Sequence, residues 1–325
     1  PEDFVQFGPD VPARIKSEIM EHVKKHKHIF TYHAENGITL PVRAAPIHIQ
    51  TVEGAEPKPN MRRTWGASNN PEQVVLTRWA KNKLKTGEFV RALAPTCVSR
   101  PHIAGNENKI RVCGDYQPAN EVTVKIVTPQ RSAEELIMLG TGRHYYFSID
   151  EKSQYTGYRL DLESSKLLTI NTPIGTIRPT RLQFGAKNAG AYVQHHTDAF
   201  RAEDLSEGAL SRSIRYADDT VGFGDVQKKD GEIMFDWDQL KEDFLEHIDS
   251  AVKRNISLAP SKTKFGFTQV QFYGRMISRD GSYLADHIVE PVRRMTRPTD
   301  HQQVQIVLGL VNGFKNRVEN LAMIE

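Results

Sequence analysis

The feature that most narrows what this chain can fold into is a pair of adjacent carboxylates set between apolar half-strands. Ser213 to Phe223 reads as two short strands folded about Ala217-Asp218-Asp219, with Ile214 and Tyr216 before the turn and Val221 and Phe223 after it. Gly222 and Gly224 close the unit. An isolated Asp pair is by default a polar turn. Here the apolar flanks put two like charges at the end of a half-buried sheet, where they repel unless a cation or partner compensates. Upstream, Tyr145-Tyr146-Phe147-Ser148-Ile149-Asp150 reads as a strand of aromatic and β-branched residues that finishes on a third carboxylate. A strand ending in one Asp beside a hairpin presenting two more suits two-metal nucleotidyl transfer, in which hard oxygen ligands hold two Mg²⁺ ions.

The rest of the chain mixes helices and strands irregularly, which predicts an α+β fold rather than a regular βαβ series. An amphipathic helix is expected around Ile15 to Val23, and the Pro- and Gly-punctuated remainder of residues 1–60 reads as a leader or linker. Leu76, Ala80 and Leu84 recur every four residues from Pro71 to Lys85, with Thr86-Gly87 as a stop. Residues 89–98 and 109–116 read as a hairpin, Ala133 to Leu139 as a short helix, and 166–170 with 176–183 as a second hairpin. Ala189 to Phe200 reads as a helix, and Leu240, Phe244, Ile248 and Val252 stripe another. A final hairpin is expected in Phe265 to Ile277, with Arg279-Asp280-Gly281 as a turn, before a helical face of Val304, Leu308 and Val311.

Length and charge set the bounds. The 325 residues exceed what one hydrophobic core usually supports, so two or three subdomains are expected. No apolar run is long enough to span a membrane, and the start at Pro1 reads as a chain cut from something longer. Cys97 and Cys113 are too few for a disulfide framework and suggest a reducing compartment. The net charge of +3 is weak, but Lys81, Lys83, Lys85, Arg91, Arg100, Lys109 and Arg111 face only Glu88 and Glu107 in their stretch, which could track phosphates. His22 and His26 share a helix face near His28. Their neighbours Lys24, Lys25 and Lys27 disfavour a divalent cation, so this reads as a solvated helix end. Of His195 and His196, one is expected in the core and one at the surface.

Tyr216-Ala217-Asp218-Asp219 matches Tyr-x-Asp-Asp, and several flanking segments extend the match. They are Ile110 to Asn120, Tyr146 to Tyr155, Gln183 to Gln194, Leu258 to Phe265, Phe272 to Gly281 and Leu308 to Asn312. In order and spacing the chain resembles, from about residue 88 onward, the reverse transcriptases of gypsy-type long-terminal-repeat retrotransposons and, more distantly, of retroviruses. The resemblance implies a right-hand polymerase with an antiparallel-sheet palm, in which residues 61–125 and 158–188 form fingers, 126–157 and 189–280 form palm, and 281–325 begin an incomplete thumb, after an extension in 1–60. It implies an RNA-directed DNA polymerase, a nucleotidyltransferase cut from a Pol polyprotein. Its partners would be RNA template, DNA primer, RNA/DNA hybrid and dNTPs, and its cofactor two Mg²⁺ ions, with Mn²⁺ as a substitute. It would work without a membrane, in the cytoplasm within virus-like particles. A non-catalytic domesticated fold and an RNA-dependent RNA polymerase are the alternatives.

By the same resemblance, Asp150, Glu151, Asp218 and Asp219 are the expected metal ligands, and Lys262 would act on pyrophosphate. Arg100, Lys109 and Arg111 would hold the triphosphate. Tyr155 would exclude a ribose 2′-hydroxyl, and Phe184 and Gly185 would line the nucleotide pocket. Tyr216, Phe272, Tyr273 and Gly274 would hold the primer end. Gln154, Gln183 and Gly190 depart from the family pattern around that pocket, as does Gly114 in the fingers.

Overall fold

A computed structural model describes residues 4–30, 40–61, 65, 70–106, 109–129, 131–152, 154–229, 232–294 and 297–312. Its centre is a five-stranded sheet in the order Gln6–Phe7, Lys264–Phe267, Tyr145–Asp150, Asp219–Gly224, Ser213–Tyr216. Every pairing is antiparallel except that of Gln6–Phe7 with Lys264–Phe267. Pairing along both edges makes Tyr145–Asp150 an inner strand, and the elements packed on the two faces of the sheet bury most of its side chains.

Strand alternation sorts those side chains into two cores. Phe147 and Ile149 face the helices Ala13–Lys25, Ala189–Asp204 and Trp237–Arg254, where they pack with Ile15, Ile19, Val193, Phe244 and Ile248. Tyr146 faces the other way, with Ile214, Val221 and Phe223, against Leu136 and Ile137 of the Ala133–Gly140 helix and Val270, Phe272 and Ile277 of a three-stranded sheet. The Phe147 ring lies over Gly222, where an added Cβ would sit 2.0 Å from the ring, so no larger residue fits. The Ala133–Gly140 helix begins at Ser132 with a reciprocal capping box to Glu135.

A four-stranded sheet of Phe89–Arg91, Gly175–Pro179, Thr169–Thr172 and Val98–Ser99 and a hairpin of Pro101–Asn106 with Lys109–Gly114 make up the second β region. Several expectations change here. Residues 89–91 pair with 175–179 rather than with the hairpin, and Leu162–Leu167 is a helix capped by Asp161. Phe265 belongs to the central sheet, and the terminal hairpins are Gln269–Phe272, Arg275–Ser278 and Gly281–Leu284. A hairpin of Val226–Lys229 with Glu232–Phe235 was not read from the sequence at all.

The largest difference lies in the segment read as a leader or linker. Phe4, Val5, Val11, Ile15, Ile19, Val23, Ile29, Phe30, Val42, Ile47 and Ile49 are buried in the main core. Ile15, Ile19 and Val23 enter it as one face of the Ala13–Lys25 helix, while the apolar residues on either side of that helix pack onto the core without long elements of their own. Among the described residues no helix is long and apolar enough to cross a membrane.

Candidate active site

The central strands bring the three aspartates together by register. Asp219 stands directly opposite Asp150 across one pairing and opposite Tyr216 across the other. Ala217 and Asp218 form the two-residue turn, with Ala217 at φ 51. The N–H of Glu151 donates to the Asp218 carbonyl at 3.0 Å, which pins that turn to the end of the Asp150 strand. Asp150, Asp218 and Asp219 line one cleft with Ser148, Ser261, Lys262, Lys264 and Gln271, a space of about 250 Å³.

The electrostatics of this cleft are uneven. Burial, then the neighbouring Asp218 and Asp150, push the Asp219 carboxyl up to about 6, partly offset by a backbone hydrogen bond from Tyr273. Asp150 is also raised by burial, even though Lys262 donates to its Oδ2 at 2.6 Å. That contact in turn raises Lys262, whose side chain is 65% exposed. Two lysines, of which only Lys262 pairs with a carboxylate, therefore line a cleft with three carboxylates. The three line an open cleft rather than a closed cage. Open sets of hard oxygens suit Mg²⁺, which completes its shell with water and substrate phosphates.

Glu151 is not part of the set. As the next residue along the strand it turns to the opposite face, where its carboxylate accepts a hydrogen bond from Arg215 Nη2 at 2.9 Å, both side chains being almost wholly buried. Arg201 and His247 complete this second cluster. His247 is held neutral, its pKa lowered to about 3 by burial first and then by Arg201. Its Nδ1 lies 2.8 Å from the Asp243 carbonyl, which leaves Nε2 to accept from Arg201. The expectation that the Glu151 side chain ligates metal is thus corrected, because alternation separates consecutive residues. The same alternation, applied to Arg215 beside Tyr216, was the signal that could have found the pair.

Tyr216 meets Tyr273 edge to face, with ring centroids 4.3 Å apart. Tyr273 and Gly274 form the turn of a hairpin with φ of 46 and 73, the two-positive-φ geometry that glycine eases. Tyr273 is half exposed. Phe272, by contrast, is fully buried in the second core, so its ring cannot touch a primer as expected and instead anchors the turn.

Tyr155 packs edge to face on the exposed Phe184, with centroids 4.9 Å apart. Gly185 follows at φ +86, and its carbonyl accepts from Asn120 Nδ2 at 2.8 Å. Lys187 and Asn188 tie the same loop to Asn120, Thr123, Val124 and Ile126. With Asp115, Tyr116 and Lys187, Gly185 lines a further cavity of about 610 Å³. Arg100 is not free to reach it unaided, since its Nε donates to Asp115 Oδ2 at 2.9 Å. Arg111 is exposed on its strand opposite Ala104, and the Lys109 side chain lies outside the described residues. His196 stacks on Tyr158 while His195 is exposed, and Cys97 is buried while Cys113 is partly so.

No family model matches the chain. In sequence it is 24% identical over 225 residues to the retrovirus-related Pol polyprotein from transposon gypsy of Drosophila melanogaster, covering 68% of this chain and 20% of that protein. It is 24% identical over 288 residues to an uncharacterized protein of Caenorhabditis elegans, covering 88% and 20%, and 22% identical over 233 residues to the transposon Tf2-3 polyprotein of Schizosaccharomyces pombe, covering 70% and 16%. The chain thus spans about a fifth of these relatives.

Among solved structures, the foamy viral protease-reverse transcriptase in complex with double-stranded DNA matches with a TM-score of 0.80 at 15% identity, over 97% of this chain and 52% of that one. The complex of that enzyme with RNA/DNA hybrid matches with a TM-score of 0.76 at 16% identity, over 94% and 38%. The α+β fold is therefore that of the foamy viral protease-reverse transcriptase, and in sequence the chain is similar to retrotransposon Pol polyproteins.

Proposed function

We propose that this chain is the polymerase portion of a retrotransposon reverse transcriptase, extending a primer on an RNA or DNA template. The observation that carries the reading is the register that sets Asp150 opposite Asp219 beside the Asp218 turn, on the open face of the sheet. The donor set fits divalent cations, since three carboxylates outnumber the two lysines that line the cleft, and burial followed by the neighbouring aspartates pushes Asp219 up. Asp150, Asp218 and Asp219 would hold two Mg²⁺ ions, which when bound would lower the pKa of a primer 3′-hydroxyl and neutralise a leaving pyrophosphate.

The chain's own residues do the rest. Lys262, whose exposed ammonium sits on Asp150 at the edge of the cleft, would be placed to donate to the departing phosphate oxygens. Tyr216 and Tyr273 present a joined aromatic surface beside the catalytic turn, suited to a primer terminus. Tyr155, braced by Phe184, would oppose a 2′-hydroxyl and so favour dNTPs. The groove and its partners are read from the named complexes of the structural relatives, which hold double-stranded DNA and RNA/DNA hybrid.

Primer extension with Mg²⁺ on matched RNA and DNA templates tests the reading. Incorporation of dNTPs on both, lost in Asp218→Asn, is the expected result. Binding of hybrid without extension would make the chain a non-catalytic scaffold, and faster use of rNTPs than dNTPs would make it an RNA polymerase.

A further inference from the structure

Away from the cleft, the Ala13–Lys25 helix lies along Trp237–Arg254, and polar side chains bridge the two. Arg14 reaches Asp238 at 2.6 Å, Lys241 reaches Glu18, and His22 Nε2 meets Asp249 Oδ1 at 2.6 Å. Both partners advance along the chain from one bridge to the next, so the helices run in the same general direction. The first two bridges are ordinary ion pairs. At the third, His26 stands one turn beyond His22 with its ring centroid 5.2 Å away, and the ligand atoms of His22, His26 and Asp249 all lie within 4.8 Å of one another. Among the described residues no other group of three potential ligands converges so closely.

We infer that His22, His26 and Asp249 form a zinc site that fastens the N-terminal helix to the Trp237–Arg254 helix. His22 lies in the last turn of the helix and His26 is its C-cap four residues on, which brings both imidazoles to one side of the helix end, and the carboxylate comes from the packed neighbour. Two nitrogens and one oxygen are a borderline donor set, which selects Zn²⁺ over Mg²⁺. Tetrahedral coordination at 2.0–2.2 Å sets ligand atoms about 3.3–3.5 Å apart, so the trio needs only small side-chain rotations. Water takes the fourth position, and His28, whose ring centroid is 6.2 Å from that of His26, is the nearest further imidazole.

The surrounding charge works against the site without forbidding it. Lys24, Lys25 and Lys27 lie on its own segment, with Lys25 paired to Glu21 at 3.1 Å and exposed. Exposed ammonium groups are screened, so they weaken affinity more than they abolish it. The sequence reading saw only these lysines, because Asp249 is 227 positions from His22.

His26 separates this site from a plain His22–Asp249 hydrogen bond, which would not need it. Zinc would be titrated calorimetrically into chelator-treated full-length protein, alongside His26→Gln, His22→Gln and Asp249→Asn, with Co²⁺ absorption and thermal unfolding as second readouts. One equivalent of Zn²⁺ should bind, raise the unfolding midpoint and give a tetrahedral Co²⁺ spectrum, and each variant should bind at least about tenfold more weakly. Mg²⁺ should not compete. Absence of saturable binding, binding that His26→Gln leaves unchanged, or equal competition by Mg²⁺ would each overturn the inference. Primer extension by His26→Gln should match the parent, so failure here is separate from failure of the polymerase reading.

Discussion

Asp150 and Glu151 end the same strand, yet one carboxylate opens onto a cleft shared with Asp218 and Asp219 while the other is sealed against Arg215 behind the sheet. On the open face, three carboxylates outnumber the two lysines that line the cleft with them. On the closed face, Glu151 is matched by a buried guanidinium, with Arg201 and His247 around it. A buried or half-buried carboxylate is therefore not a site by virtue of burial alone. What marks the open face is that its charge is left for something else to neutralise.

Substitutions on the two faces should fail in different currencies. Asp150→Asn should cut primer extension on the order of 10⁴-fold, about 5.5 kcal/mol of transition-state stabilisation, while circular dichroism and thermal unfolding stay near the parent. Equal loss of fold and activity would erase the distinction between faces. Glu151→Gln leaves Arg215 buried without its carboxylate and should cost about 3–5 kcal/mol in urea denaturation, with near-parental extension per folded molecule. The double change Glu151→Leu with Arg215→Met should recover most of that stability.

The faces should also titrate in opposite senses. Asp219 has a folded pKa of about 6, above its unfolded value near 4, so the native state holds the extra proton and stability falls as pH rises between those values. Without divalent cations, Asp219→Asn should be more stable than the parent above pH 6 by roughly 1–2 kcal/mol, after allowance for solvent screening. The gap should close toward pH 4 or on adding Mg²⁺. His247 is depressed to about 3, so its contribution is complete above pH 6.5 and is lost as pH falls from there toward 3. His247→Leu should flatten that acid limb. The smallest effect is at the turn. Ala217→Gly should relieve the positive φ and change stability by only about 0.5–1 kcal/mol, measured by thermal unfolding, with extension affected through looser placement of Asp218.

The strand ending in Asp150, the hairpin around Ala217, and the helices at Ala133, Ala189 and Leu240 could be read from periodicity, because each carries its own pattern of apolar residues. The packing of the short segments around Phe4, Phe30, Val42 and Ile47 could not, since segments that complete another element's surface have no internal period, although the helix at Ile15 to Val23 between them could. Within the candidate site, the three aspartates were visible as types, but not which face each occupied. Glu151 was assigned by proximity in sequence, and Phe272 by its motif, whereas alternation and depth decided both. The loop near Gly185 was visible only as a motif. Its pins at Asn120 and Lys187 depend on contacts more than 60 positions apart.

The parallel pairing of Gln6–Phe7 with Lys264–Phe267 has a consequence for how the molecule assembles. Gln6 also donates to the carbonyl of Ser261, 255 positions away. During synthesis from the N-terminus this short strand must wait for most of the chain before it finds its neighbour, and loop closure over that distance is entropically slow. Until it docks, Lys264–Phe267 presents a bare edge able to pair with another chain. The last strand to join would thus act as a seal against aggregation, and refolding yield should depend on those few early residues far more than their contact area suggests.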